Sequence, residues 1–324
     1  MKMKTRTVWR MRSIMTIPLI AVVAASLTAC GGAATGDGAA ARPGPAGTLA
    51  VVATTTQVAD FARTIGGDKV TVTQILKPNI DPHDYEPTPA DIRAIGAAKV
   101  VVKSGLGLEK WLDDTIASAG FTGTTVDSSA GVAVRQGNGE EEEAAGDPHI
   151  WHNPRNVAIM VRDIEQAFAA ADPADAAVYA RNLADYTAAL DKLDADIQAK
   201  IDKLPAGHRK LVTNHDAFGY YIDRYNLEFV GSIIPSFDTS AELSAQDIDQ
   251  IVAKIKQTGT RAVFSESSLP PKTAEAIAEQ AGVKVVAGED ALYGDTLGPA
   301  GSDGDTYLKM EEHNTDVIVR ALGV

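Results

Sequence analysis

From Thr48 onward, short runs of β-branched and apolar residues alternate with longer stretches in which apolar positions recur every three or four residues. The short runs cover residues 49–54, 70–76, 100–103 and 124–126, and the longer ones residues 57–65 and 90–97. This alternation predicts strands separated by helices, and hence a mostly parallel sheet. A different segment opens at Asp172-Pro173. There Tyr179, Leu183, Tyr186, Leu190, Leu193, Ile197 and Leu204 form a stripe, with Asp185, Asp191, Lys192, Asp194 and Lys200 largely between them. The stripe predicts one amphipathic helix over residues 172–204, about 48 Å long, opened by a capping Asp and a first-turn Pro and closed near Pro205 and Gly207. The alternative is a helical hairpin broken near residues 191–194, although no Gly or Pro marks a break there.

After residue 204 the alternation resumes. Strands are predicted at 210–213, 228–234, 261–265 and 283–286, and helices at 217–225, 244–257, 272–281 and 307–322. The expected fold class is α/β: two (β/α) lobes, each with a roughly four-stranded, mostly parallel sheet, joined by one long rigid α-helix. The expected boundaries are 48–171 for the first lobe, 172–204 for the linking helix and 205–324 for the second lobe. Ligands of open parallel sheets gather beyond the carboxyl ends of the strands, which is where chemistry should be sought.

Upstream of Thr48 no such pattern exists. Lys2, Lys4, Arg6, Arg10 and Arg12 form a cationic head, followed by an apolar run over residues 14–27 and the tetrapeptide Leu27-Thr28-Ala29-Cys30. This is the layout of a secretory signal, too short for a comfortable membrane span. The tetrapeptide resembles a bacterial lipobox, so residues 1–29 are expected to be a lipoprotein signal peptide and Cys30 the lipidated residue. Cys30 is the single cysteine of the chain, which rules out an internal disulfide. Residues 30–47, rich in Gly, Ala and Pro, read as a flexible tether. Loss of residues 1–29 would move the formal net charge from -13 to -18. That sign argues against nucleic acid as a partner, because phosphate neutralisation needs clustered Lys and Arg.

Three of the six histidines follow predicted strands. His83 stands in Asp81-Pro82-His83-Asp84-Tyr85-Glu86-Pro87, His149 in Asp147-Pro148-His149-Ile150-Trp151-His152, and His215 in Asn214-His215-Asp216-Ala217-Phe218-Gly219-Tyr220. Asp295 follows the last predicted strand. Two residues from each lobe would meet between the sheets. Neutral imidazoles plus one carboxylate suit zinc and other borderline divalent metals, and four protein ligands close a tetrahedral shell. The ligands must be deprotonated, so affinity should fall below about pH 6.5. Taken singly, each histidine reads as readily as a cap or a core residue, and spacing over so long a stretch does not choose. A zinc hydrolase needs an open position and a base. No His-Glu-x-x-His occurs, and Glu266 is the one strand-end carboxylate that could serve.

The segments His-x-Tyr-x-Pro at His83, Asp-Pro-His-x-Trp at His149 and His-Asp-Ala-Phe-Gly-Tyr at His215 resemble the zinc- and manganese-binding solute-binding lipoproteins of bacterial ABC transporters. Gly105-Leu106-Gly107-Leu108-Glu109-Lys110-Trp111, Phe264-Ser265-Glu266-Ser267-Ser268 and Gly304-Asp305-Thr306-Tyr307 extend the resemblance over essentially all of the chain from Thr48. It implies an extracytoplasmic, membrane-anchored monomer, not an enzyme. Such a protein binds metal through His83, His149, His215 and Asp295 and delivers it to a membrane permease. A metal chaperone is a possible further partner, and some relatives are described as adhesins, which gives a metal-stabilised surface adhesin as an alternative. A histidine at position 215 tilts the expectation toward zinc, with manganese or iron as alternatives. The run of glutamates at 140–143 is expected to be a solvated loop, and His152 a rim histidine or a partner of the ligands.

Overall fold

The computed structural model describes residues 47–137 and 144–323. Cys30, the preceding signal, most of the tether and the glutamate run lie outside the described residues.

In the first half, β1 (Leu49–Ala53), β2 (Val70–Gln74), β3 (Val100–Lys103) and β4 (Thr124–Asp127) form one parallel sheet in the order β2-β1-β3-β4. Its two central strands, β1 and β3, are apolar on consecutive positions because both their faces are covered. Val51, Val100 and Val102 face α1 (Thr56–Gly66) and α4 (Pro154–Ala171). Val52 and Val101 face the side of α2 (Pro89–Ala97) and α3 (Leu112–Ala119). Two helices, α3 and α4, were not read from the sequence.

The long helix α5 (Ala176–Ile201) is continuous over 26 residues, about 39 Å, so the hairpin alternative falls. It begins four residues later than expected. Asp172 does not cap it: this residue closes α4, its amide donating to the Phe168 carbonyl, and its carboxylate accepts from the Tyr179 hydroxyl at 2.8 Å.

In the second half, β5 (Lys210–His215), β6 (Glu228–Ile234), β7 (Ala262–Phe264) and β8 (Lys284–Val286) alternate with α6 (Gly219–Tyr225), α7 (Ala245–Thr258) and α8 (Lys272–Ala281), and α9 (Tyr307–Leu322) closes the chain. All pairings are parallel. The expected four-stranded sheet is divided into two hydrogen-bonded pairs, β5-β6 and β7-β8, with β5 lying beside β7. One apolar core runs through both halves. It takes in Val51 and Val102 of the first sheet, Tyr186, Leu193 and Ile197 of α5, Leu211 and Phe264 of the second-half strands, and Met310 and Ile318 of α9. A smaller cluster under α7 and α8 fills the far face of the second half.

Candidate metal centre

The parallel strands bring four predicted ligands to one point. His83 sits in the loop after β2, His149 just before α4, His215 at the end of β5, and Asp295 beyond β8. One ligand atom from each lies within 4.8 Å of all the others, the one such group among the described residues. Their side chains are sealed from solvent, His83 at 3% exposure and the other three at 0%.

The His149 Nε2 lies 3.4 Å from the His83 Nε2 and 3.2 Å from the His215 Nε2. Asp295 Oδ1 is 3.3 Å from His149 Nε2 and 3.4 Å from His215 Nε2, and Oδ2 is 3.9 Å from His83 Nε2. A tetrahedral ion with ligands at about 2.0–2.1 Å spaces its donor atoms about 3.3–3.4 Å apart, and four of these five contacts, at 3.2–3.4 Å, lie close to that spacing. Both Asp295 oxygens are buried without a hydrogen-bond partner. Neither oxygen meets a ring nitrogen at hydrogen-bonding geometry, so the charge of this desolvated carboxylate must be balanced by protons on the facing rings or by a cation between them.

Local chain geometry fixes each ring. Asp81 Oδ1 accepts from the His83 amide at 2.9 Å. Asp147 Oδ1 accepts from the His149 amide at 3.0 Å and pairs with Nδ1 of the same ring at 2.8 Å. These are two copies of one device: in Asp-Pro-His the aspartate bends back over a restrained proline to the amide two residues on. The repeat of that tripeptide was the sequence signal for Asp147 as an orienting residue. For His215 the same service comes from afar. Glu266 Oε1 accepts from its amide at 3.0 Å, and Nδ1 lies 3.1 Å from Oε1 and 3.0 Å from Oε2. Carboxylates on Nδ1 turn the Nε2 lone pairs of His149 and His215 inward, as ligating histidines require. Glu266, the strand-end carboxylate considered as a base, is thereby engaged with the amide and ring of His215.

Burial and charge pull the three rings apart. Burial lowers the His83 pKa to about 3, keeping it neutral. Burial also opposes charge on His149, but Asp147 and Asp295 outweigh it and raise the ring to about 9. At His215 burial is likewise overcome, by Asp295 and Glu266, and the pKa stands well above the ordinary value. Asp295 is held well below its usual range; the two partner rings reverse the effect of its burial. The proton-competition threshold expected near pH 6.5 therefore moves upward.

His152 lies outside the ligand cluster. It is not on the rim: its ring is completely buried.

Residues 51–321 match the family model of the zinc-uptake complex component A, periplasmic (ZnuA). The chain belongs to this family. Among other members it is 34% identical to the zinc-binding protein TroA of Treponema pallidum over 274 residues, 84% of this chain and 88% of that protein. The solved structure of periplasmic zinc-binding TroA superposes with a TM-score of 0.79, at 31% identity, covering 86% of this chain and all of that one. The manganese-binding lipoprotein MntA of Bacillus subtilis is 32% identical over 301 residues, 92% of this chain and 95% of that protein. A third relative is the manganese ABC transporter substrate-binding lipoprotein PsaA of Streptococcus anginosus, 31% identical over 280 residues, 85% and 89% of the two chains. Family members thus carry both zinc and manganese names on one fold.

Proposed function

We propose that this chain captures a divalent transition metal, zinc first, between its two halves through His83, His149, His215 and Asp295, and delivers it to the permease of an ABC transporter. The observation that carries this reading is the unpartnered Asp295 carboxylate set against three converging imidazoles at tetrahedral spacing. Membership of the ZnuA family supplies the transport context. Four protein ligands in a tetrahedral shell would leave no open position for a reacting water, which supports a carrier's site over a hydrolase's. The lipobox-like Leu27 to Cys30 would hold the protein on the outer face of the cell membrane, with residues 30–47 as tether. Among the described residues no helix is long and apolar enough to cross a membrane.

One feature favours manganese as a second reading. Both Asp295 oxygens are free, so the carboxylate can bind bidentate and give five-coordination, which suits the harder ion. The test is metal content after offering zinc, manganese and iron(II) together to metal-free protein. One zinc per chain, lost in His215→Ala, is the expected result. A preference for manganese reverses the metal assignment, and absence of any bound metal ends the proposal.

A further inference from the structure

Although His152 does not reach the metal cluster, it is held on three sides. Its ring stacks on Phe218 with centroids 4.3 Å apart. Its Nε2 donates to the Gly294 carbonyl at 3.1 Å, an oxygen that also accepts from Trp151 Nε1 at 3.0 Å. Its Nδ1 lies 2.8 Å from Glu311 Oε1 on α9. A carbonyl can only accept, so the Nε2 proton is fixed and Nδ1 is left to Glu311. Glu311 has no exposed surface, and its second oxygen has no hydrogen-bond partner. A carboxylate buried in a helix that belongs to the main core is a cost that simple packing does not explain.

Gly294 immediately precedes Asp295. On its other side a Cβ at this position would lie 2.1 Å from Glu266 Oε2, so the main chain here is wedged between the partner of His215 and the His152 ring. The Asp295 carboxylate makes no hydrogen bond of its own. Its position is therefore set by the backbone around it: the Gly294 carbonyl, the Asp295 carbonyl, which accepts from Gln57 Nε2 at 2.8 Å, and Thr296, whose hydroxyl accepts from the Asn79 amide.

We propose that the buried His152–Glu311 pair is a positioning device that holds the Gly294 carbonyl, and with it the Asp295 ligand, against the first half of the molecule, and so slows metal release. The inference rests on the metal-capture reading above. His152 and Glu311 touch no metal. They act through Gly294.

The test measures zinc release from the full chain into a chromophoric chelator, alongside the melting temperature of the metal-free protein. Glu311→Leu leaves Nδ1 without a partner and should release zinc about tenfold faster, the lower range for partners of ligands. Glu311→Gln can donate to Nδ1 and preserve the Nε2–H donor, so it should restore release to within about twofold of the parent. His152→Phe combined with Glu311→Leu keeps the ring stack and removes both buried polar groups, so that neither is left without its partner. It should melt close to the parent yet still release zinc about tenfold faster. Parental release rates in that double variant would overturn the inference, as would a Gln variant as fast as the Leu variant. If the double variant does not fold, the Leu and Gln comparison at position 311 decides. A parent chain that binds no metal would instead sink the metal-capture reading itself.

Discussion

At the scale of single residues, the proposed centre would set protons and metal in competition for the same ring nitrogens. His149, raised to about 9, and His215, held well above its ordinary value by Asp295 and Glu266 despite its burial, hold protons at neutral pH when no metal is present. A bound zinc ion would displace both. Affinity should therefore climb with pH up to about 9, by close to 100-fold per pH unit where two protons are lost, and titration calorimetry across pH 6.5–9 checks this. A slope of zero would mean that the two rings are not ligands. Stability of the metal-free protein should run the other way. The raised His149 contributes stability that is complete below its unfolded pKa near 6.5 and is lost as pH rises through about 9. The melting temperature without metal should fall over that interval while the increment produced by zinc grows. Glu266→Gln weakens the acceptor behind His215 and should cost about 10- to 100-fold in zinc affinity. The proposed ligand set could be drawn from the sequence only through several motifs in order, since a histidine after a strand looks the same whether it binds metal or caps a loop. Asp147 stood in its tripeptide without being read as a partner of the ring. Glu266 was read only as a candidate base, because its contact with His215 spans 51 positions.

At the scale of elements, the ties between the halves differ in depth. Around Asp295 they are buried and main-chain directed. At the mouth, beside the least buried ligand, they are two side-chain pairs: Thr239 donates to Asp81 Oδ2 at 2.6 Å, and Lys110 to Asp238. On the metal-capture reading, we expect a metal ion to pass on the side of these shallower pairs. Together these pairs are worth about 1–2 kcal/mol, so Thr239→Val with Lys110→Met should speed zinc release about 5- to 30-fold with little change in melting temperature. An unchanged rate in stopped-flow exchange would place the exit elsewhere. Element reading from sequence succeeded for strand β6 and helix α9, whose observed bounds match the expected ones. It missed α4, although Asn153-Pro154 offers an N-cap followed by a first-turn Pro. It also mistook the Asp172-Pro173 turn for a helix start. An Asp-Pro pair suits either role, and tertiary contact with Tyr179 decided.

At the scale of the whole molecule, the core shared between the halves through α5 is the dominant fact. Asp194 on that helix binds Arg155 at the start of α4 and Arg224 and Tyr225 of α6, which reinforces the union. Calorimetry should record one cooperative unfolding transition for residues 47–323, and two resolved transitions would show that the halves are independent. Sequence could not reveal this continuity, because periodicity reports which face of an element is apolar and not which neighbour covers it. The ion pair between Arg135 and Asp147 also bears on the charge at the centre. Asp147, Glu266 and Asp295 contact the His149 and His215 rings, and the one guanidinium set against them is shared with Asp223. That surplus of negative charge favours protonated rings in the empty protein, and on the metal-capture reading it would favour a doubly charged ion over sodium or potassium.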